Sequence, residues 1–194
     1  MAQQDIVKLL CNGYVIPAPR NYEDFKYALE HSSNPSLSLL FGDINILPEL
    51  LVKAREYKKR ILVHLDLLGG FGKDKAGIVF LARMGVAAVI TTKPQLGKLA
   101  REAGMLVIHR LFLMDSEAIK TGVNLLKGYK PDALELLPAS VPASVVAELG
   151  GMTGLPILGG GLMHSKEDIE MAVRSGLSAV SASKRELWEP FGKG

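Results

Sequence analysis

Short apolar runs alternate with amphipathic stretches along the whole chain. The runs are rich in β-branched and aliphatic residues and end in polar or glycine clusters, as buried strands do. They begin near Val15, Ser36, Ile61, Ala87, Leu106, Ala133, Pro156 and Ser178. This pattern predicts eight strands that alternate with helices.

Six of the intervening stretches have the spacing of helices, and several of them begin with a cap. Asn21, Asp115 and Ser165 each place a side-chain oxygen before a first helical turn. Pro94 stands where a missing N–H costs least. The predicted helices are 21–31, 47–59, 94–103, 115–127, 141–149 and 165–175.

Eight βα units favour a closed parallel barrel, because closure buries both edges of the sheet. The chain has 194 residues, against about 250 in a typical barrel of this kind. We therefore expect a compact TIM-type (β/α)8 barrel in one domain over 1–194, with either minimal connections or one abbreviated or incomplete unit. An open doubly wound sheet is the alternative. Trp188 and Phe191 are expected to dock a final turn on the core, and 189–194 to fray.

Composition narrows the class of protein without deciding it. Hydrophobic residues make up 48% and charged residues 22% of the chain, which excludes disorder of the bulk. No apolar run reaches the ~18 residues of a membrane span, and no signal peptide is visible, so we expect a cytoplasmic protein. Cys11 is the single cysteine, which excludes an internal disulfide. The net charge of +3 and the pI near 8.9 permit nucleic acid or phosphorylated metabolites as partners.

Ionisable side chains stand near the ends of four consecutive runs. In a parallel barrel the functional face is built from the carboxyl ends of the strands. Alternation along the runs therefore predicts one polar mouth, in which Asp66 and Glu135 accept from the hydroxyls of a short polyol and Lys93 and Arg110 balance their charge. The predicted ligand-binding set is His64, Asp66, Lys93, Arg110 and Glu135. Ion pairs that merely complete the barrel top are the alternative.

Runs seven and eight end in small residues rather than ionisable ones. Glycines let backbone N–H groups approach a ligand, the start of a following helix attracts anions, and serines add hydroxyl donors. Barrels frequently bind phosphate in these two loops. The predicted phosphate cradle is Gly159, Gly160, Gly161, Leu162, Ser181, Ala182 and Ser183. Glycines that only turn the chain are the alternative.

Two short basic clusters could meet the phosphates of RNA, although such clusters are more often solvated helix ends. Any RNA site is expected away from the polar mouth, on Arg55, Lys58, Lys59, Arg60, Lys184 and Arg185. His31 and His109 are interpreted as structural. We predict no catalytic residue, metal ion or cofactor.

Several short motifs follow one another in a specific order. They are 64–70 (HLDLLGG), 90–93 (ITTK), 109–116 (HRLFLMDS), 131–138 (PDALELLP), 159–162 (GGGL) and 180–183 (VSAS), with Leu187-Trp188 after them. On these motifs, from Val15 to Trp188, the chain resembles the glycerol uptake operon antiterminator family. The chain departs from the family pattern at Pro19, Gly69, His109, Ala139 and Ala182. His109 stands for a glutamine, and Ala182 stands for a threonine and removes one hydroxyl donor.

The resemblance implies a cytoplasmic regulator whose effector is glycerol 3-phosphate. Such a protein acts on the leader of an mRNA from glycerol-utilisation genes, prevents premature transcription termination and catalyses no reaction. The alternative is a phosphosugar isomerase or epimerase on the same barrel, because His64-Leu65-Asp66 is similar to the metal-binding strand of ribulose-phosphate 3-epimerases. Leu158 stands where those enzymes carry an aspartate, which leaves the metal shell incomplete.

Overall fold

The computed structural model describes residues 3–189, with side chains from residue 6 onward except at positions 116 and 127. Eight parallel strands form one sheet in the order β1-β8-β7-β6-β5-β4-β3-β2. The strands are β1 Val15–Pro17, β2 Ser36–Leu39, β3 Arg60–His64, β4 Ala88–Thr91, β5 Leu106–Phe112, β6 Ala133–Leu137, β7 Ile157–Gly160 and β8 Ala179–Ala182. The predicted (β/α)8 barrel is confirmed, and each strand begins within one residue of its predicted start.

The barrel is nearly closed, with a seam between β1 and β2. These two strands are not paired with each other, and Pro17 has no N–H to give to a ladder. Above the strands, the backbone N–H of Leu40 donates to the carbonyl of Pro19 at 3.2 Å. The seam therefore has a backbone link at the end where the functional loops lie.

Eight α-helices fall within the described residues. They are α1 Gln3–Leu10, α2 Tyr22–His31, α3 Leu47–Glu56, α4 Lys75–Arg83, α5 Pro94–Glu102, α6 Ser116–Leu125, α7 Ala143–Thr153 and α8 Lys166–Arg174. The predicted caps Asn21, Asp115 and Ser165 each accept from a backbone N–H three residues on. Two helices, α1 and α4, were not predicted. Four helices end one to three residues before their predicted ends, and α7 runs four residues beyond its predicted end.

Side chains of each strand divide between two cores. Residues such as Val63, Val107 and Leu134 face the helices. Their neighbours in the strands fill the barrel, for example Leu62 and Ile108. This alternation lets each polar strand residue be assigned to the barrel interior or to the helix layer.

The two ends of the barrel are covered differently. At the amino end of the strands, Ile6 and Leu10 of α1 pack into the interior cluster. After β8 the chain makes only a short 3-10 turn, Arg185–Leu187, which fits the expected abbreviated unit within the described residues. Trp188 is buried, with its Nε1–H donating to the carbonyl of Ala182 at 2.7 Å. Phe191 and positions 190–194 lie outside the described residues. None of the described helices is long and apolar enough to cross a bilayer.

Candidate functional site

Three side chains, two buried and one partly buried, link β5, β6 and β8 inside the barrel. Arg110 and Glu135 are partners in the β5–β6 register, and Arg110 Nε lies 2.7 Å from Glu135 Oε2. The other oxygen, Glu135 Oε1, accepts from the Ser181 hydroxyl at 2.8 Å. Both carboxylate oxygens are therefore bonded, and Arg110 is held in one orientation with its remaining N–H groups available.

Gly160 provides the space for this network. An added Cβ there would lie 2.7 Å from Ser181 Oγ and 3.0 Å from Glu135 Oε1. Its neighbour Gly159 has another role, because a Cβ there would meet Ala139 and Leu177 at 2.7 Å each. Gly159 and Gly160 were predicted to cradle phosphate. Their missing side chains also permit close packing, on the outer and inner face of β7 respectively.

His64 faces the barrel interior beside this network. The side chain is 3% exposed, and neither ring nitrogen has a hydrogen-bond partner among the described residues. Burial, and then the charge of Arg110, lower the pKa of His64 to about 4. Asp66 acts in the opposite direction from 4.0 Å. At neutral pH the ring is therefore uncharged and offers one donor and one acceptor.

Asp66 and Lys93 differ from their predicted positions. The chain turns directly after His64, so Asp66 leaves the strand alternation and bonds instead to the end of β4. Its carboxylate accepts from the Thr92 N–H at 2.7 Å and the Thr91 hydroxyl at 3.2 Å. Lys93 is exposed at the residue before α5. It was aligned with Thr91, which points away from the barrel interior, so Lys93 does not join the inward-facing set.

The loops after β7 and β8 line one cavity of about 290 Å³. The two strands are neighbours, with Gly160 opposite Ser181, so the loops lie side by side as the predicted cradle requires. The predicted residues that line the cavity are Gly161, Leu162, Ser181, Ala182 and Ser183. Arg110 and Leu40 also line it, so the cavity adjoins the buried network.

The backbones of the loops after β7 and β8 present unpaired donors. Gly161 and Leu162 both have positive φ, +75° and +59°, and this conformation is costly for leucine. Leu162 is 61% exposed, so packing does not impose it. Among residues 3–189, no protein group accepts from the backbone N–H of Leu162, Met163 or Ser183. These N–H groups can therefore bind an anion.

A carboxylate of the protein lies at the start of α8, the helix whose amino end is predicted to attract the anion. Asp168 accepts from the backbone N–H groups of His164 and Ser165 at 2.8 and 2.9 Å. These bonds lower the pKa of Asp168. A carboxylate thus already occupies the positive end of the helix.

Cations surround the cavity, and sequence analysis missed one of them. Arg20 and Lys184 line it together with the inner Arg110, and His164 is a further lining residue. Arg20 is exposed and forms no hydrogen bond or ion pair within the described residues. Its signal was available, because Arg20 follows the first strand at its carboxyl end. Lys184 Nζ donates to the His164 carbonyl at 3.2 Å.

The basic residues proposed for RNA do not form one surface. Arg55, Lys59 and Arg60 each donate to backbone carbonyls of the protein, so their charged groups have structural partners. At the opposite end of the barrel, Arg185 pairs with Asp24 at 2.5 Å, and Lys184 lines the cavity. The expectation that the whole set lies away from the pocket is wrong for Lys184. Of the six, Lys58 has no such partner among the described residues.

His109 lies outside the barrel interior, as its structural interpretation requires. It is fully buried, and its Nδ1 lies 2.6 Å from the Tyr129 hydroxyl. No group of three or more His, Cys, Asp or Glu side chains within the described part of the chain could hold a metal ion.

The fold and the site together define a (β/α)8 barrel whose mouth is polar, rich in cations and lined by free backbone donors. The family model "Glycerol-3-phosphate responsive antiterminator" matches residues 15–188. The chain belongs to this family, and the match supports a regulator rather than an enzyme.

Two solved structures agree with that assignment, and one curated relative is similar over most of the chain. The glycerol uptake operon antiterminator regulatory protein of Listeria monocytogenes is 32% identical with a TM-score of 0.85, over 91% of this chain and 95% of that chain. A glycerol uptake operon antiterminator-related protein of Thermotoga maritima is 26% identical with a TM-score of 0.80, over 91% and 98%. The uncharacterized protein YgcP of Escherichia coli is 29% identical over 184 residues, which are 94% of this chain and 95% of YgcP.

Proposed function

We propose that this chain is an effector-controlled regulator that binds glycerol 3-phosphate in the mouth cavity. In the bound form it would engage the mRNA leader of glycerol-utilisation genes in the cytoplasm and prevent premature termination. The observation that carries the proposal is the cavity between the β7 and β8 loops, where unpaired N–H groups meet several cations. It is supported by the match to the glycerol-3-phosphate responsive antiterminator family.

The phosphate fits the cavity on grounds of charge and donors. The N–H groups of Leu162 and Ser183 would donate to phosphate oxygens. Arg20 and Arg110 would add charge-assisted bonds, which are about twice as strong as neutral ones. Glu135 has a positioning role here, since each of its oxygens already accepts a hydrogen bond within the protein.

Control of RNA requires that effector and RNA change each other's affinity by the same factor. Filter binding of a leader RNA from a glycerol-utilisation operon, with and without glycerol 3-phosphate across a salt series, measures this factor. We expect salt-sensitive binding that the effector strengthens about 5- to 150-fold. RNA binding that glycerol 3-phosphate leaves unchanged would contradict the regulatory proposal.

The structure sharpens the choice of RNA variants. Charge reversal at Arg55 or Lys59 would break hydrogen bonds to backbone carbonyls of the protein. A loss of RNA binding in these variants would therefore not show that the residue contacts RNA. Lys58→Glu avoids this difficulty and should weaken binding and reduce the salt slope by about one. Lys98→Glu, an equal charge change at an exposed position of α5, is the matched control. Equal losses in the two variants would point to net charge rather than a contact at Lys58.

A further inference from the structure

Two polar side chains inside the barrel have no partner. They are His64, at both ring nitrogens, and Ser38, at its hydroxyl, among the described residues. His64 is 3% exposed and Ser38 is 1% exposed. His64 lies at an inward-facing position of β3, and Ser38 lies at an inward-facing position of the neighbouring strand β2. Buried polar groups nearly always have a hydrogen-bond partner. A group that completes their hydrogen bonds therefore belongs at this place.

His64 lies at the level of the cavity floor. Leu39 is paired with Val63 in the β2–β3 register, so the next residues, Leu40 and His64, stand at one level. Leu40 lines the cavity, as does Arg110, whose charge acts on His64. Ser38, two residues before Leu40, is one layer deeper. The unpartnered groups therefore lie in the layer of Leu40 and in the layer below it, on the β2–β3 side of the barrel, and neither of them lines the cavity itself.

The chemistry of these groups matches hydroxyls. A neutral imidazole and a serine hydroxyl both donate and accept, as an alcohol does, whereas a phosphate dianion only accepts. We propose that His64 and Ser38 form a hydroxyl subsite beneath the phosphate position and select a phosphorylated polyol over a phosphate ester that lacks hydroxyls. The subsite rests on the proposed function, because the phosphate has to occupy the cavity above it. It transfers the role of hydroxyl recognition from Asp66 and Glu135, whose oxygens are bonded within the protein.

Three probes separate the subsite from the phosphate site. Glycerol 3-phosphate, propyl phosphate and inorganic phosphate share the anion, and the first two share the three-carbon chain. In calorimetric titrations we expect the wild type to bind glycerol 3-phosphate at least about tenfold more tightly than propyl phosphate, since one neutral hydrogen bond corresponds to about that factor. His64→Leu should reduce this preference to below about threefold and leave the affinity for propyl phosphate unchanged.

Two further variants separate hydroxyl recognition by His64 from a general loss of protein structure. His64→Gln keeps a donor and an acceptor and should retain part of the preference. His109→Leu removes a buried histidine that faces the helices from another strand of the same sheet, and it should leave the preference intact. If His64→Leu does not fold, the wild type and His64→Gln decide the question.

The outcomes also separate this inference from the proposal on which it rests. Equal affinities of the wild type for glycerol 3-phosphate and propyl phosphate would overturn the subsite and leave the phosphate site standing. An undiminished preference in His64→Leu would do the same. Failure of all three probes to bind the wild type would overturn both the phosphate site and the subsite.

Discussion

Replacing Gly160 by alanine should disrupt the buried network that orients Arg110. Gly160 does not have a positive φ, so its backbone accepts alanine without strain. The added Cβ would lie 2.7 Å from Ser181 Oγ, a distance that forces the hydroxyl to rotate away. Glu135 Oε1 then loses the hydrogen bond that it receives at 2.8 Å.

The expected cost follows from that lost bond. A hydrogen bond to a charged group contributes about 1.5–3 kcal/mol, so we expect Gly160→Ala to lower the free energy of unfolding by about 2 kcal/mol. For a chain of this size that corresponds to a fall of about 4–8 °C in Tm. Ser181→Ala removes the same bond and should cost about as much. In the double variant the bond is lost only once, so the cost should stay near 2 kcal/mol rather than reach about 4.

Urea denaturation followed by circular dichroism measures all three variants. Gly151→Ala is the matched control, because Gly151 lies in α7 and a Cβ there meets nothing within 4 Å. That control should raise stability by up to about 1 kcal/mol, as alanine does in helices. Additive costs of Gly160→Ala and Ser181→Ala would refute the reasoning, as would a Gly160→Ala variant as stable as the wild type.

Three other predictions concern residues outside the cavity or at its margin. Lys59→Met should cost about 1–3 kcal/mol in urea denaturation, because its Nζ donates to two backbone carbonyls, whereas Lys58→Met should change stability by less than about 0.5 kcal/mol. Burial lowers the pKa of His109 from 6.5 to about 4, so the unfolded chain binds a proton that the folded chain refuses, and stability is lost as pH falls through that window. His109→Gln should make the unfolding free energy less dependent on pH there. Glycerol 3-phosphate should change the fluorescence of Trp188, the single tryptophan, because its Nε1–H bonds to Ala182 at the cavity wall.

Periodicity was sufficient for most of the fold. The short apolar runs marked all eight strands, and side-chain oxygens before a first turn marked three helix starts. Helix α4 was missed because Gly69, Gly70, Gly72 and Gly77 give its surroundings the composition of a loop, although Asp74 caps it by accepting from the Gly77 N–H at 2.9 Å. A local sequence pattern also cannot show that β1 and β2 are not hydrogen-bonded to each other.

The candidate site was predictable in its location and less so in the role of each residue. Strand ends identified Arg110 and Glu135, but only the register shows that they form an ion pair. Alternation along β4 correctly puts Lys93 on the same side of the strand as Thr91. The sequence does not show, however, which of the two sides faces the barrel interior. In the sequence, Gly159 and Gly160 are adjacent glycines that nothing distinguishes from each other. Only the neighbours of each missing Cβ distinguish their functions in packing.

A crystal structure of this chain with glycerol 3-phosphate is the most direct test of the central claim. The account predicts the phosphate between the loops after β7 and β8, with its oxygens within about 3 Å of the backbone N–H groups of Leu162 and Ser183. It predicts the hydroxyl end of the ligand toward His64. A phosphate bound elsewhere on the barrel, or an empty cavity at saturating glycerol 3-phosphate, would contradict the account.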